Sequence, residues 1–232
     1  LPKILELTLN DGFDKRTGKQ IGLKTGTATD YRTYEELFAA YKAQVQHFMR
    51  IKLTGNNIIE RIFMKYMPVP FLSVLIEDCI RNGKDYMCGG ARYNSSYVQG
   101  VGLGSITDML TALRYHVYDK KTIAMETMEK ALANACKGFE ELQYQLVYHT
   151  PKYGNDDDYA DEQEVQVFDM YYDVLSGHKS PRGADYRVNM LPTTCHVYFG
   201  KVTGATPDGR NAWKVLSEGI SPVQGADTNG PT

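Results

Sequence analysis

The stretch Gly204–Pro231, GATPDGRNAWKVLSEGISPVQGADTNGP, decides how this chain is read. Its glycines, prolines and polar residues give it the composition of a linker. A flexible linker, however, needs neither Trp213 nor a Pro207-Asp208-Gly209 sequence suited to a tight β-turn. The stretch therefore reads as a long ordered loop, and what orders it lies upstream.

Immediately before it, YRVNMLPTTCHVYFG (residues 186–200) reads as the clearest strand, rich in Val, Tyr, Thr and Phe, with an irregularity or bulge at Pro192. Further back the chain is dominated by helical patterns. Thr33 lies three residues before Glu36, a capping-box signature, and Leu37, Tyr41, Val45 and Phe48 follow at helical spacing. That helix resumes through NNIIERIFMKYM and stops before Pro68. A second helix is expected over FLSVLIEDCIRNG, stopped by Gly83. ARYNSSYVQGVG reads as extended. Ser105 and Asp108 then open a helix with Ile106, Met109, Leu113 and Val117 on one face. Met125–Tyr148 reads as helical with an interruption at Gly138. Val165, Phe168, Tyr172 and Leu175 mark another helix, ended by Gly177. The first thirty residues read as turns around short elements. Strands separated by more numerous helices predict an α/β layout.

The 232 residues suffice for one large domain or two small ones and a sizeable core. A formal charge of −2 gives no electrostatic case for nucleic acid or an anionic membrane. No apolar run approaches the roughly 20 residues of a membrane span. The opening LPKILELTLNDG lacks a signal-peptide pattern and a starting Met, which predicts a chain beginning within something longer. Cysteines at 79, 88, 136 and 195 form no C-x-x-C pair, so they read as reduced cytosolic thiols rather than zinc ligands. The seventeen tyrosines fit an interior needing apolar bodies with hydrogen-bonding tips.

Motifs for chemistry are sparse. QGVGLGS (residues 99–105) could cradle a phosphate at a helix N-terminus, but its spacing only approximates the dinucleotide fingerprint; close packing of a strand-to-helix turn is the better reading. YGNDDDYADE (residues 153–162) crowds acids near Asn155. It lacks calcium-loop spacing, and the acids suit the start of a helix, so no metal is expected there. Histidines at 47, 116, 149, 178 and 196 never fall in a metalloprotease pattern, and no nucleophile elbow or P-loop occurs.

Four separated stretches carry a family resemblance: the opening LPK, YVQGVGLGSITD, TPKYGNDDDYAD, and HVYFGKVTGATPDGRNAWKVLSEGISPVQGADTNGPT. In this order they resemble the glycyl radical enzymes of the pyruvate formate-lyase family, over essentially the whole chain. NMLPTTCHVYFG with GGARYN is similar to the family's hydroxyproline dehydratases. The resemblance implies that residues 1–232 are part of a ten-stranded α/β barrel surrounded by helices. It implies a dehydratase of anaerobic metabolism acting on a small hydroxylated substrate by thiyl hydrogen abstraction and loss of water. Glycerol or propanediol dehydration, formate acetyltransfer, and a non-catalytic barrel scaffold are the alternatives. It further implies a cytoplasmic homodimer whose glycyl radical is installed by a radical S-adenosylmethionine activating enzyme.

Neither the radical-glycine sequence nor the thiyl-cysteine loop of the family occurs here, so this chain reads as the span between those loops and alone is expected to be inactive. No catalytic residue is assigned within it. If strand alternation survives Pro192, Leu191, Thr193 and Cys195 share one face. In the matching family strand that face lines the substrate pocket, which makes Leu191 and Thr193 candidate substrate-binding residues; ordinary core packing is the alternative. The long loop is then a scaffold for the reactive loops.

Overall fold

The computed structural model describes residues 1–230. The chain divides into two compact units, one of residues 1–47, 99–171 and 190–232, the other of residues 48–98 and 172–189.

The first unit opens with helix α1 (Pro2–Thr8) and a short antiparallel hairpin of β1 (Phe13–Asp14) and β2 (Lys19–Gln20). Helix α2 (Tyr34–Tyr66) starts in this unit. Thr33 Oγ1 accepts the Glu36 N–H at 3.3 Å, and Glu36 reaches back to the Arg32 N–H at 2.7 Å. The capping box is thus present with its return bond one residue early. Leu37, Tyr41 and Val45 are buried as the spacing predicts. Helix α5 (Leu103–Ala112) is buried along its whole length and runs into a π-helical stretch, Leu113–Asp119. Helices α6 (Met125–Ala133) and α7 (Glu140–Tyr148) follow, parted by left-handed residues at Ala135, Cys136 and Gly138. The core of the unit is Leu5, Leu7, Leu37, Tyr41, Leu103, Ile106, Met109, Leu110, Leu113, Met128 and Leu146, each under 2% exposed. Burial of one such side chain stabilises by about 1.5–3 kcal/mol.

The second unit contains the remainder of α2, which continues through Gly55 without a break. The expected helix over 71–83 is two short ones, α3 (Pro70–Ser73) and α4 (Glu77–Arg81). Asp85 Oδ2 accepts from both the Val69 N–H at 3.0 Å and Ser73 Oγ at 2.7 Å, and the chain then tightens through i→i+3 bonds from Leu75 and Ile76. Strands β3 (Ser96–Gln99) and β4 (Tyr186–Asn189) pair. Helix α8 (Asp158–Leu175) passes from the first unit into the second and ends before the left-handed Gly177. Its buried positions include Ala160, Gln163, Val167, Met170, Tyr171 and Leu175, whereas Val165 and Tyr172 are exposed.

The strand expected over 186–200 is a correction. Only Tyr186–Asn189 is strand, Met190–Thr194 is irregular, and Cys195–Lys201 is helix α9. Pro192 supplies no N–H to a ladder. Beyond it, the Lys214 carbonyl occupies the space a Cβ would take at Gly200, so α9 lies directly on the following loop. Tertiary contact has overridden β-propensity.

Candidate functional site

The helix α5 begins at Gly102, whose φ of +77° and ψ of 38° are left-handed, and no side chain of its own caps it. The first N–H groups of any helix lack intrahelical partners. Here the distant loop supplies them. Leu103 N–H donates to Gly219 O at 3.1 Å, and Ser105 N–H to Ser217 Oγ at 2.8 Å. In return the Ser217 N–H donates to Ser105 Oγ at 2.8 Å. Both serines are fully buried. Ser105 therefore does not open the helix, as its sequence position suggested; it is the third residue in, and it exchanges bonds with the loop that does the capping. Asp108 lies deeper in the same helix, where burial pushes its carboxyl up to about 7 against the opposing pull of Lys152 and of the Tyr153 N–H.

The turn around residues 99–105 is packed, which is the reading preferred over a phosphate cradle. A Cβ on Gly104 would stand 2.5 Å from Ser221 O and 3.0 Å from Pro222 Cα, and one on Gly100 would overlap the Met190 sulfur. The loop itself turns at Pro207-Asp208, closed by Gly209 N–H to Thr206 O at 3.0 Å. Arg210 then donates to the carbonyls of Gly204 at 2.5 Å and Lys214 at 2.7 Å. Farther on, Asn155 accepts the N–H groups of Thr228 at 2.7 Å and Asn229 at 3.0 Å while donating to Ala226 O at 2.7 Å. The acids beside it act locally. Asp157 Oδ1 accepts the Tyr159 N–H at 3.0 Å in the first turn of α8, and Asp161 is raised by burial and by its acidic neighbours. Among the described residues no cluster of three or more acidic, histidine or cysteine side chains could hold a metal ion.

The same loop walls the segment Met190–Thr194. Met190 O accepts the Ile220 N–H at 3.1 Å, and Gly219, at φ +33°, lies so close that a Cβ would overlap that carbonyl. Gln99 Nε2 donates to Leu191 O at 2.5 Å. His196 Nδ1 meets Thr193 O at 2.6 Å, and its Nε2 faces Glu218 Oε1 at 3.6 Å. Leu191 is 62% exposed. Thr193 Oγ1 is buried and has no hydrogen-bond partner among the described residues. Cys195, expected to share their face, sits in the first turn of α9 as an exposed free thiol. An apolar cavity of about 440 Å³ elsewhere in the unit is lined by Met109, Met125, Met128, Pro207 and Trp213, and neither Leu191 nor Thr193 reaches it.

A family model described as pyruvate formate lyase-like matches residues 1–200. The chain belongs to that family. It is 53% identical over 232 residues to trans-4-hydroxy-L-proline dehydratase from Clostridioides difficile, covering 100% of this chain and 29% of the relative. The crystal structure of hydroxyproline dehydratase from that organism with trans-4-hydroxy-L-proline bound aligns with a TM-score of 0.96 over 99% of this chain and 29% of the other. The glycerol-bound B12-independent glycerol dehydratase from Clostridium butyricum aligns with a TM-score of 0.93 at 39% identity, again over 99% of this chain and 29% of the other. This chain thus spans less than a third of the length of these pyruvate formate lyase-like relatives. Its fold is the corresponding part of the family's α/β barrel.

Within this family member, sequence reasoning missed Gln99, His196, Ser217 and Gly219. Gln99 and Ser217 act through backbone partners far along the chain, and Gly219 through contact, so no local spacing marks them; His196 acts on Thr193 three residues before it, inside a stretch that reads as strand and so hides that contact. Gly219 alone carried a signal, as a glycine inside a loop otherwise read as ordered.

Proposed function

We propose that the full-length protein containing this chain is a glycyl radical dehydratase that removes water from trans-4-hydroxy-L-proline, with residues 1–232 a contiguous part of its barrel domain. The observation that carries this reading is 53% identity extending over the whole of the chain. The glycyl radical, which a separate radical S-adenosylmethionine activating enzyme would install, would generate the thiyl radical that abstracts hydrogen from an unreactive C–H bond. What this chain contributes is a wall. Thr193 offers a buried hydroxyl, and no described residue satisfies it. It suits a polar substituent on a small ring. Leu191 presents an exposed apolar side chain to the ring's edge. The tethers on Met190, Leu191 and Thr193 hold that wall still, which limits access of water to a reactive intermediate. A homodimeric, cytoplasmic enzyme of anaerobic metabolism completes the proposal; among the described residues no helix is long and apolar enough to cross a membrane.

The test is steady-state turnover by the activated full-length protein of trans-4-hydroxy-L-proline against glycerol, propane-1,2-diol and pyruvate. Hydroxyproline should be the preferred substrate. Thr193→Val keeps the shape and deletes the hydroxyl. Leaving a buried polar partner unpaired costs about 1–3 kcal/mol, so kcat/KM should fall roughly ten- to a hundredfold. Turnover of glycerol or pyruvate without hydroxyproline would refute the substrate, and an unchanged Thr193→Val enzyme would remove Thr193 from the site.

A further inference from the structure

The carbonyls of Met190, Leu191 and Thr193 are held by three different donors: a backbone N–H from Ile220, the amide of Gln99 and the imidazole of His196. The last differs from the others, because it acts on the residue whose hydroxyl is buried and unpartnered. A peptide carbonyl has no proton to give, so Nδ1 of His196 carries the hydrogen and donates at 2.6 Å. The ring is braced on its other side. Nε2 faces Glu218 at 3.6 Å, and Leu216 N–H reaches the main-chain oxygen of His196 at 3.4 Å. Glu218 precedes Gly219, whose backbone lies against Met190. His196 thus ties the peptide plane after Thr193 to the loop that also caps α5.

Fixing that plane fixes the Thr193 Cα–C bond, which narrows the directions open to its Cα–Cβ bond and the arc open to the hydroxyl. We propose that His196 is a positioning residue: it touches no substrate, and it holds Thr193 so that its hydroxyl meets the polar group of the substrate. The inference rests on the reading of Thr193 as substrate-facing given above.

The experiment is a mutant cycle in the activated full-length enzyme, with each variant normalised to its radical content by electron paramagnetic resonance and checked for an unchanged melting temperature. Wild type, Thr193→Val, His196→Phe and the double variant are compared in kcat and KM. His196→Phe removes the donor and should lower kcat/KM roughly tenfold, a loss that vanishes once Thr193→Val has deleted the hydroxyl. An equal loss in both backgrounds, or none in the wild-type background, overturns the proposal. Two amides keep it testable if the phenylalanine variant does not fold. His196→Asn places its Nδ2 where Nδ1 stood and should retain activity to within about threefold. His196→Gln reaches the Nε2 position, keeps the Glu218 side and should behave as the phenylalanine variant. The reverse order of the two amides refutes the role. Failure of the wild type on hydroxyproline would count against the substrate alone, since the cycle can be run on whichever hydroxylated compound is turned over.

Discussion

Ser217→Ala tests the claim that a distant loop caps α5. The substitution removes one oxygen from a fully buried site and leaves the Ser105 N–H with no acceptor at 2.8 Å. The reciprocal bond, Ser217 N–H to Ser105 Oγ, survives because the backbone donor is untouched. The loss is therefore one buried hydrogen bond plus the desolvation of an orphaned donor, about 1–3 kcal/mol. Hydrogen exchange on the full-length protein reads this directly. A peptide spanning the start of α5 should lose protection by roughly five- to 150-fold, the same energy expressed as an opening equilibrium. Ser105→Ala should cost a similar amount, since it orphans the Ser217 N–H instead. Because the two serines bond each other reciprocally, the double variant should depart from the sum of the two losses by about 0.5–3 kcal/mol. Unchanged exchange at the start of α5 in Ser217→Ala would refute the capping argument.

Gly219→Ala drives a Cβ into the Met190 carbonyl at a left-handed φ of +33°, so activity should fall further than melting temperature, measured side by side on the purified enzyme. Asp108→Asn tests a titration. Burial raises the carboxyl to about 7 when folded, so its stabilising share is complete below its unfolded value of 3.8 and is lost as pH rises through about 7. Wild-type stability should therefore decline between about pH 4 and 7 in denaturant titrations and level off above that, and the decline should flatten in Asp108→Asn; parallel curves would rule Asp108 out. Calcium or magnesium should leave the melting temperature unchanged, because Asp157 of GNDDDYADE binds the helix start rather than an ion; calorimetric affinity tighter than roughly 10⁻⁵ M would reverse that view.

The helices were legible where hydrophobic spacing and breakers agreed. Leu37, Tyr41 and Val45 mark the buried face of α2, and Gly138 and Gly177 fall where α6–α7 and α8 give way. Spacing failed on α8, where Val165 and Tyr172 are apolar yet exposed, because periodicity reports hydrophobicity and not what covers it. The strand over 186–200 failed for a different reason. Its β-branched and aromatic composition is real, but Gly200 and Pro192 commit the backbone to a helix lying on the next loop. The Pro207-Asp208-Gly209 turn was readable because its residues are its mechanism. The tethers on Met190 and Leu191 were not readable, since each joins residues whose relation exists only after the chain has folded, and the local one from His196 to Thr193 was hidden by reading both as strand.

The cap on α5 carries a consequence for the order of synthesis. Ser105 and Ser217 lie 112 residues apart. At translation rates of about 5–20 residues per second, the helix leaves the ribosome roughly 6–22 s before its acceptors are made. Through that interval its first turn has exposed N–H groups and an apolar surface with no cover, a state suited to chaperone capture. A truncation ending before Ser217 would leave the nascent protein in it permanently.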